Sequence, residues 1–177
     1  KRIQTLYALQ GKQQINPIVV TPVRGAIHRI ISELGSIPLM KLEIGKEQSL
    51  DELVRHLSAL AYSRTDLVER RGEFAVRGGI VDLFLPLSNH PIRIDFFGDE
   101  IEDLSYFEVA DQRTFKPVVG SVDIYPCREL LLTTEIKHRA IEIKDDYPAA
   151  AEMLEKISEG MTFEGMESLI PILIDKT

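Results

Sequence analysis

The sequence predicts an α+β fold built on a small, mostly antiparallel sheet with packed helices. Apolar residues recur at helical spacing before Tyr62, alternate with polar residues from there to Tyr125, and return to helical spacing after Cys127. The chain has 177 residues, of which 44% are hydrophobic, so it can bury a core without metal or disulfide staples.

The first 61 residues predict two strands and two helices. Residues 17–21 form a short β-branched run that predicts a buried strand, and residues 23–34 show helical spacing up to a stop at Gly35. Residues 39–44 predict the next strand. Residues 49–52 read Ser-Leu-Asp-Glu, a capping-box pattern in which Ser and Glu satisfy free backbone donors, and an apolar face follows it.

The middle of the chain predicts the sheet. Gly98-Asp99 predicts a tight hairpin turn between two of its strands. The strand candidates are residues 73–77, 80–85, 92–97, 100–107 and 122–125. After Cys127 the pattern predicts two helices. Pro148 separates them, and the second helix ends before Gly160.

Alternation divides residues 92–97 into a core face and an exposed face. The core face carries three apolar residues, whereas the exposed face carries a guanidinium, a carboxylate and an aromatic ring, a composition that interface hot spots favour. The core residues are Ile92, Ile94 and Phe96, and the exposed residues are Arg93, Asp95 and Phe97.

The same rule assigns the faces of residues 73–77. It buries Phe74 and Val76, and it exposes Glu73, Ala75 and Arg77. A solvated sheet face with incidental Arg/Asp pairs is the alternative that alternation leaves open.

Other chemistry is weakly supported. Gly11-Lys12-Gln13 lacks the Ser/Thr and the first Gly of a phosphate loop. The acids of residues 95–103 could indicate a metal site or a pair of catalytic carboxylates, but they flank a hairpin turn, where such residues usually face solvent. The single cysteine, Cys127, excludes internal disulfides and multi-cysteine zinc sites, and we expect a small hydrophobe there rather than a nucleophile. Neither a secretory signal nor a membrane-spanning run is recognised, so we expect a cytoplasmic chain.

Two long motifs carry a family resemblance. Residues 62–84 read YSRTDLVERRGEFAVRGGIVDLF, and residues 91–102 read PIRIDFFGDEIE. They resemble the domain with which nucleotide-excision-repair proteins bind the excinuclease subunit UvrA. Of the two families that share it, the transcription-repair coupling factors are more similar than the excinuclease subunit UvrB, because of residues 72–79, 109–114 and 164–171, which read GEFAVRGG, VADQRT and EGMESLIP.

The resemblance implies a UvrA-docking surface of arginines and an aromatic residue. Ala75 stands where UvrB often has a further arginine, which again favours the coupling factors. The implied positions are Arg77, Arg93 and Phe97, with Asp95, Phe96 and Arg64 beside them.

The resemblance also implies a domain organisation. Residues 39–126 correspond to the UvrA-interaction domain, and residues 1–38 and 127–177 to edges of the flanking domain into which it is inserted. Since the chain does not begin with Met, we expect a fragment. It is expected to have no enzymatic activity and no cofactor of its own, because the parent's ATP-driven DNA translocase, with its ATP and Mg, lies elsewhere.

Two alternatives to the coupling-factor prediction stay open. One is the equivalent domain of UvrB. The other is a small nucleic-acid-binding module, since residues 62–97 hold five arginines that could contact phosphate, although five acids balance them. For the parent, the resemblance implies that RNA polymerase and double-stranded DNA are engaged by other parts.

Overall fold

The computed structural model describes residues 2–10, 18–27, 31, 34 and 39–174. The chain divides into two compact units, one formed by Pro38–Cys127 and the other by Lys1–Ile37 together with Arg128–Thr177. The α-helices are α1 Arg2–Gln10, α2 Val23–Ile27, α3 Leu50–Ala59, α4 Thr134–Ile143, α5 Ala151–Ser158 and α6 Ile170–Leu173. The strands are β1 Met40–Leu42, β2 Ser63–Arg64, β3 Glu73–Arg77, β4 Ile80–Leu83, β5 Ile92–Phe97, β6 Glu100–Phe107, β7 Thr114–Pro117 and β8 Val122–Ile124.

A six-stranded sheet dominates the unit Pro38–Cys127. Its strand order is β2-β3-β4-β5-β6-β7, and every neighbouring pair is antiparallel except β2 and β3. Strands β1 and β8 form a separate antiparallel pair. The prediction of an α+β fold with a mostly antiparallel sheet is confirmed.

One face of the large sheet is fully apolar at its centre. Val81 and Leu83 of β4 and Ile92 and Ile94 of β5 are 0–1% exposed. They lie in successive cross-strand pairs, Val81 opposite Ile94 and Leu83 opposite Ile92. Burial of such β-branched and leucine side chains is the main force that holds the strands in this register.

Described residues form an apolar cover at one end of the opposite face. Val68, Ala75, Phe84 and Phe107 form a small apolar cluster there, with Val109 packed against it. This face also carries the charged side chains of Arg77, Asp82, Arg93 and Asp95, so it is the face on which a binding site can be presented.

The second unit is helical in its described part. Helices α4 and α5 bury Ala140, Ile143, Leu154 and Ile157 in one cluster, which the C-terminal segment completes with Met166, Leu169, Ile170 and Leu173. The two predicted helices after Cys127 are therefore present, and Thr133 caps α4 by accepting a hydrogen bond from the backbone N–H of Ile136 at 3.3 Å.

Two local predictions are wrong, and a third is described only in part. Residues 18–21 form no strand, and Ile18 and Val20 are 93% and 92% exposed, because no strand among the described residues pairs with them. The helix from Val23 is described only to Ile27, and its predicted stop at Gly35 lies outside the described residues. Ser49 occupies the N-cap of α3, but its side chain makes no capping hydrogen bond.

Strand ends also differ from the predictions. β4 ends at Leu83 rather than at residue 85, and β8 ends at Ile124 rather than at residue 125. The predicted turn at Gly98-Asp99 is present, since Phe97 pairs with Glu100 across it. Strands β2 and β7 were not predicted.

Candidate protein-binding site

The strand register places the polar residues of the partly covered face in two rows across the sheet. In one row, Asp82 lies between Ala75 on β3 and Arg93 on β5. In the next row, Ile80 lies between Arg77 and Asp95. Arg93 therefore lies directly across from the β4 carboxylate on β5, and Arg77 lies diagonally from it on β3.

Asp82 binds both arginines. It is 1% exposed, and its Oδ1 accepts a hydrogen bond from Arg93 Nε at 2.7 Å, while its Oδ2 accepts one from Arg93 Nη2 at 2.9 Å. Arg77 Nη2 also donates to Oδ2. This is a bidentate arginine–carboxylate pair with a second arginine attached, and it gives the site geometric definition as well as energy.

Arg93 is held on several sides, so its predicted exposure is only partly correct. Its side chain is 18% exposed. Its Nη1 donates to the carbonyl oxygen of Gln112 at 3.2 Å, and its guanidinium carbon lies 4.9 Å from the centroid of the Phe107 ring. The hydrogen bond to Asp82 raises the pKa of Arg93, burial acts in the opposite direction, and the negative charges of Asp82 and Asp95 raise that pKa further.

Arg77 is the more accessible arginine, with 45% of its side chain exposed. It lines a surface groove of about 600 Å³ together with Arg64, Thr65, Asp66 and Val76. The groove is polar and open to solvent. Two of the predicted arginines, Arg77 and Arg64, thus share one concave surface.

Phe97 is the exposed aromatic residue of the site, at 78% exposure. It borders a smaller hollow of about 210 Å³ that is also lined by Ile44, Ile101 and Glu102. Phe96 is half-buried opposite Ile101, so alternation assigns it to the core side correctly but overstates its burial.

Asp95 is half-buried on the same face. Burial raises the pKa of its carboxyl group, the nearby carboxylate of Asp103 raises that pKa further, and Arg93 acts in the opposite direction. Asp95 is opposite Asp103 in the β5–β6 pair, so two like charges face each other across the strands. A cation from a partner would relieve this repulsion.

The predicted exposure of Ala75 is wrong. Ala75 is 2% exposed, because it packs with Val68, Phe84 and Phe107 in the apolar cluster on this face. Period-two alternation distinguishes the two faces of a strand but does not reveal that a chain segment covers part of the outer one.

Asp82 was not predicted to belong to the site. The available signal was a single carboxylate inside the apolar run of residues 80–85, since a buried charge persists only with partners. The Gly78-Gly79 turn would place it opposite Ala75. The pairing of Asp82 with Arg93 depends on the β4–β5 register, which cannot be predicted from the loop of residues 84–91.

The signals for other chemistry gain no support. Among the described residues, no group of three or more His, Cys, Asp or Glu side chains could hold a metal ion. Gly11-Lys12-Gln13 lies outside those residues. Cys127 is half-buried, and its side chain interacts with Tyr62, whose pKa is raised chiefly by burial. No described helix is both long and apolar enough to cross a bilayer.

Known proteins provide independent comparisons. The profile of the UvrB interaction domain family matches residues 40–130, just over half of the chain. The transcription-repair-coupling factor of Mycobacterium tuberculosis is 41% identical over 165 residues, covering 88% of this chain and 13% of that protein. The coupling factor of Myxococcus xanthus is 35% identical over 181 residues, covering 97% of this chain and 15% of that protein. The coupling factor of Bacillus subtilis is 36% identical over 137 residues, covering 76% of this chain and 12% of that protein.

The extent of these matches limits what they transfer. The chain spans only 12–15% of the length of these relatives, so it corresponds to a small part of each. The family match is to an interaction domain rather than to an enzyme domain. It includes the whole large sheet and therefore every residue of the arginine network. The chain belongs to the UvrB interaction domain family.

Proposed function

We propose that this chain is the UvrA-docking module of a transcription-repair coupling factor, and that it docks through the partly covered face of the six-stranded sheet. The single observation that carries this proposal is the geometry of that face. Arg77 and Arg93 share the buried carboxylate of Asp82, and Phe97 stands exposed at the end of the strand that carries Arg93.

This geometry suits recognition of a protein surface. A guanidinium is weakly hydrated and can bind a carboxylate bidentately, so its burial in an interface costs less than that of an ammonium group. Phe97 has most of its ring in water and provides an apolar anchor at the same end of the sheet. In this proposal, Asp95 supplies an acceptor for a cation of UvrA, and Arg64 extends the contact along the groove.

The domain boundaries and the wider role belong to the same proposal. Residues 39–126 form the docking domain, and residues 1–38 and 127–177 are edges of the neighbouring domain. The module recruits nucleotide excision repair to stalled RNA polymerase in the cytoplasm. The polymerase, double-stranded DNA and ATP are bound by parts of the parent outside this chain.

A calorimetric titration of the full chain with UvrA tests the proposal. Arg77→Ala should weaken binding by about 1–2 kcal/mol, which is roughly 5- to 30-fold, if Arg77 is a hot spot. Circular dichroism of each variant verifies its fold. Unchanged affinity of a folded Arg77→Ala chain would refute the assignment of this face.

The nucleic-acid alternative is tested separately. Because Arg77 and Arg93 share the charge of one carboxylate, the network has a net charge of only +1 to offer to phosphate. A fluorescence-anisotropy titration with labelled DNA should therefore show weak binding. Tight binding with a steep dependence on salt would favour the alternative function.

A further inference from the structure

The buried carboxylate of Asp82 is the feature of the face that docking alone does not explain. It is the only charged side chain buried among the described residues, and it lies between Val81 and Leu83, both 0% exposed. A buried charge is costly unless hydrogen bonds satisfy it. Removing one partner of a buried ion pair destabilises a protein more than replacing the whole pair by apolar residues. Among the described residues, the hydrogen bonds to this carboxylate come from the two arginines of the proposed docking face.

The donors of Arg93 are largely used within the fold. A guanidinium has five N–H donors. Two of those of Arg93 bind Asp82, a third binds the carbonyl oxygen of Gln112, and one face of the guanidinium lies over Phe107. Gln112 presents this carbonyl from a left-handed backbone conformation with φ 60°, which is uncommon for a residue other than glycine. The loop after β6 thus supplies a hydrogen-bond acceptor to Arg93.

The donors of Arg77 are used differently. Among the described residues, its side chain donates one hydrogen bond, to Asp82, and 45% of the side chain is exposed at the groove. Anchoring one amino group fixes where the guanidinium lies, and the other donors of Arg77 make no hydrogen bond to a described residue. Such fixing in advance lowers the entropy that a long side chain loses when a partner binds it.

We propose that Asp82 is a positioning residue of the docking face, and that it makes the two arginines unequal. Arg93 neutralises the buried charge of Asp82 within the fold, and Arg77 is the cation presented to a carboxylate of the partner. This inference rests on the proposed function. Beyond the proposed function, it predicts that Asp82 and Arg93 affect UvrA binding by positioning Arg77.

A double-mutant cycle measured as binding tests this proposal. UvrA is titrated with the full wild-type chain, Asp82→Asn, Arg77→Ala and the double variant, and each chain is also unfolded with urea. Asp82→Asn should weaken binding by about fivefold or more in the wild-type background and by less than about twofold in the Arg77→Ala background. Its stability loss, in contrast, should remain in both backgrounds, which separates positioning from general destabilisation.

A second variant keeps the test decisive if Asp82→Asn does not fold. Arg93→Lys retains the charge next to Asp82 but loses the bidentate geometry. Its binding loss should also nearly vanish in the Arg77→Ala background. Asp123→Asn on β8 is the matched control, since it makes the same carboxylate-to-amide change at a partly buried residue in the other sheet, and it should leave affinity unchanged.

Three outcomes would overturn the proposal. Equal binding losses in the two backgrounds would show that Asp82 or Arg93 acts independently of Arg77. A folded Asp82→Asn chain with wild-type affinity would show that the carboxylate positions nothing for the partner. If the wild-type chain fails to bind UvrA at all, the proposed function itself fails, and this inference fails with it.

Discussion

Replacement of Phe97 by alanine should separate binding from folding. The ring is 78% exposed in the free chain, so its removal should change the free energy of unfolding by no more than about 0.5 kcal/mol. A phenylalanine side chain offers roughly 200 Å² of surface, so about 150 Å² remains for a partner to cover. At about 25 cal/mol per Å², this area corresponds to an upper limit of about 4 kcal/mol.

The expected binding loss is smaller than that limit. Alanine keeps Cβ, and ordering of the ring in the interface costs part of the gain, so we expect a loss of about 2 kcal/mol, or roughly 30-fold in Kd. Calorimetry with UvrA measures the loss, and urea unfolding measures stability. Phe115→Ala is the matched control, because Phe115 is 50% exposed on β7, an edge strand that β6 separates from β5 and its Arg93.

Two results would refute this reasoning about Phe97. If Phe97→Ala and Phe115→Ala weaken UvrA binding equally, the effect does not come from a specific anchor. If Phe97→Ala binds normally and remains folded, Phe97 is an exposed residue of the free surface and no part of the contact.

Three further predictions concern stability, each measured by urea unfolding. Arg93→Ala should destabilise the chain by about 3–5 kcal/mol, because it removes the bidentate partner of the buried Asp82 carboxylate; a cost below about 1 kcal/mol would contradict this. Burial and Asp103 raise the pKa of Asp95, so the folded state holds the proton of this carboxyl group more tightly than the unfolded state. Asp95→Asn should therefore stabilise the chain at neutral pH, and the gain should disappear as the pH falls below the ordinary carboxyl pKa of 3.8. A gain independent of pH would contradict this. Leu104→Ala should cost about 2–5 kcal/mol, because Leu104 is 0% exposed on β6, and a loss below about 1 kcal/mol would show that the site collapses around the cavity.

The sequence predicts the centre of the sheet well for physical reasons. Strands β3, β5 and β6 have the predicted bounds, since their side chains alternate and glycine-containing turns delimit them. β7 has four exposed residues and therefore no alternation that a sequence pattern could detect. The apolar run of residues 18–21 is equally β-branched, but strand formation requires a neighbouring strand, which local sequence does not specify.

The sequence proposes residues for the candidate site, but it does not predict the contacts between them. The sequence identifies Arg77, Arg93 and Phe97, and the structure gives them different environments, from 18% exposure of the Arg93 side chain to 78% for Phe97. The Arg93 side chain is held by Asp82 and by the Gln112 carbonyl, which reach it through strand register and loop conformation. Such contacts are set by tertiary structure, so alternation along one strand cannot reveal them.

The most direct test of the account is a calorimetric comparison of two charge reversals. Arg77→Glu and Arg55→Glu make the same change at exposed arginines of the same unit, one on the proposed docking face and the other on α3. The account predicts that the wild-type chain and Arg55→Glu bind UvrA with similar affinity, and that Arg77→Glu loses at least about tenfold. Equal binding by the two folded variants would contradict it.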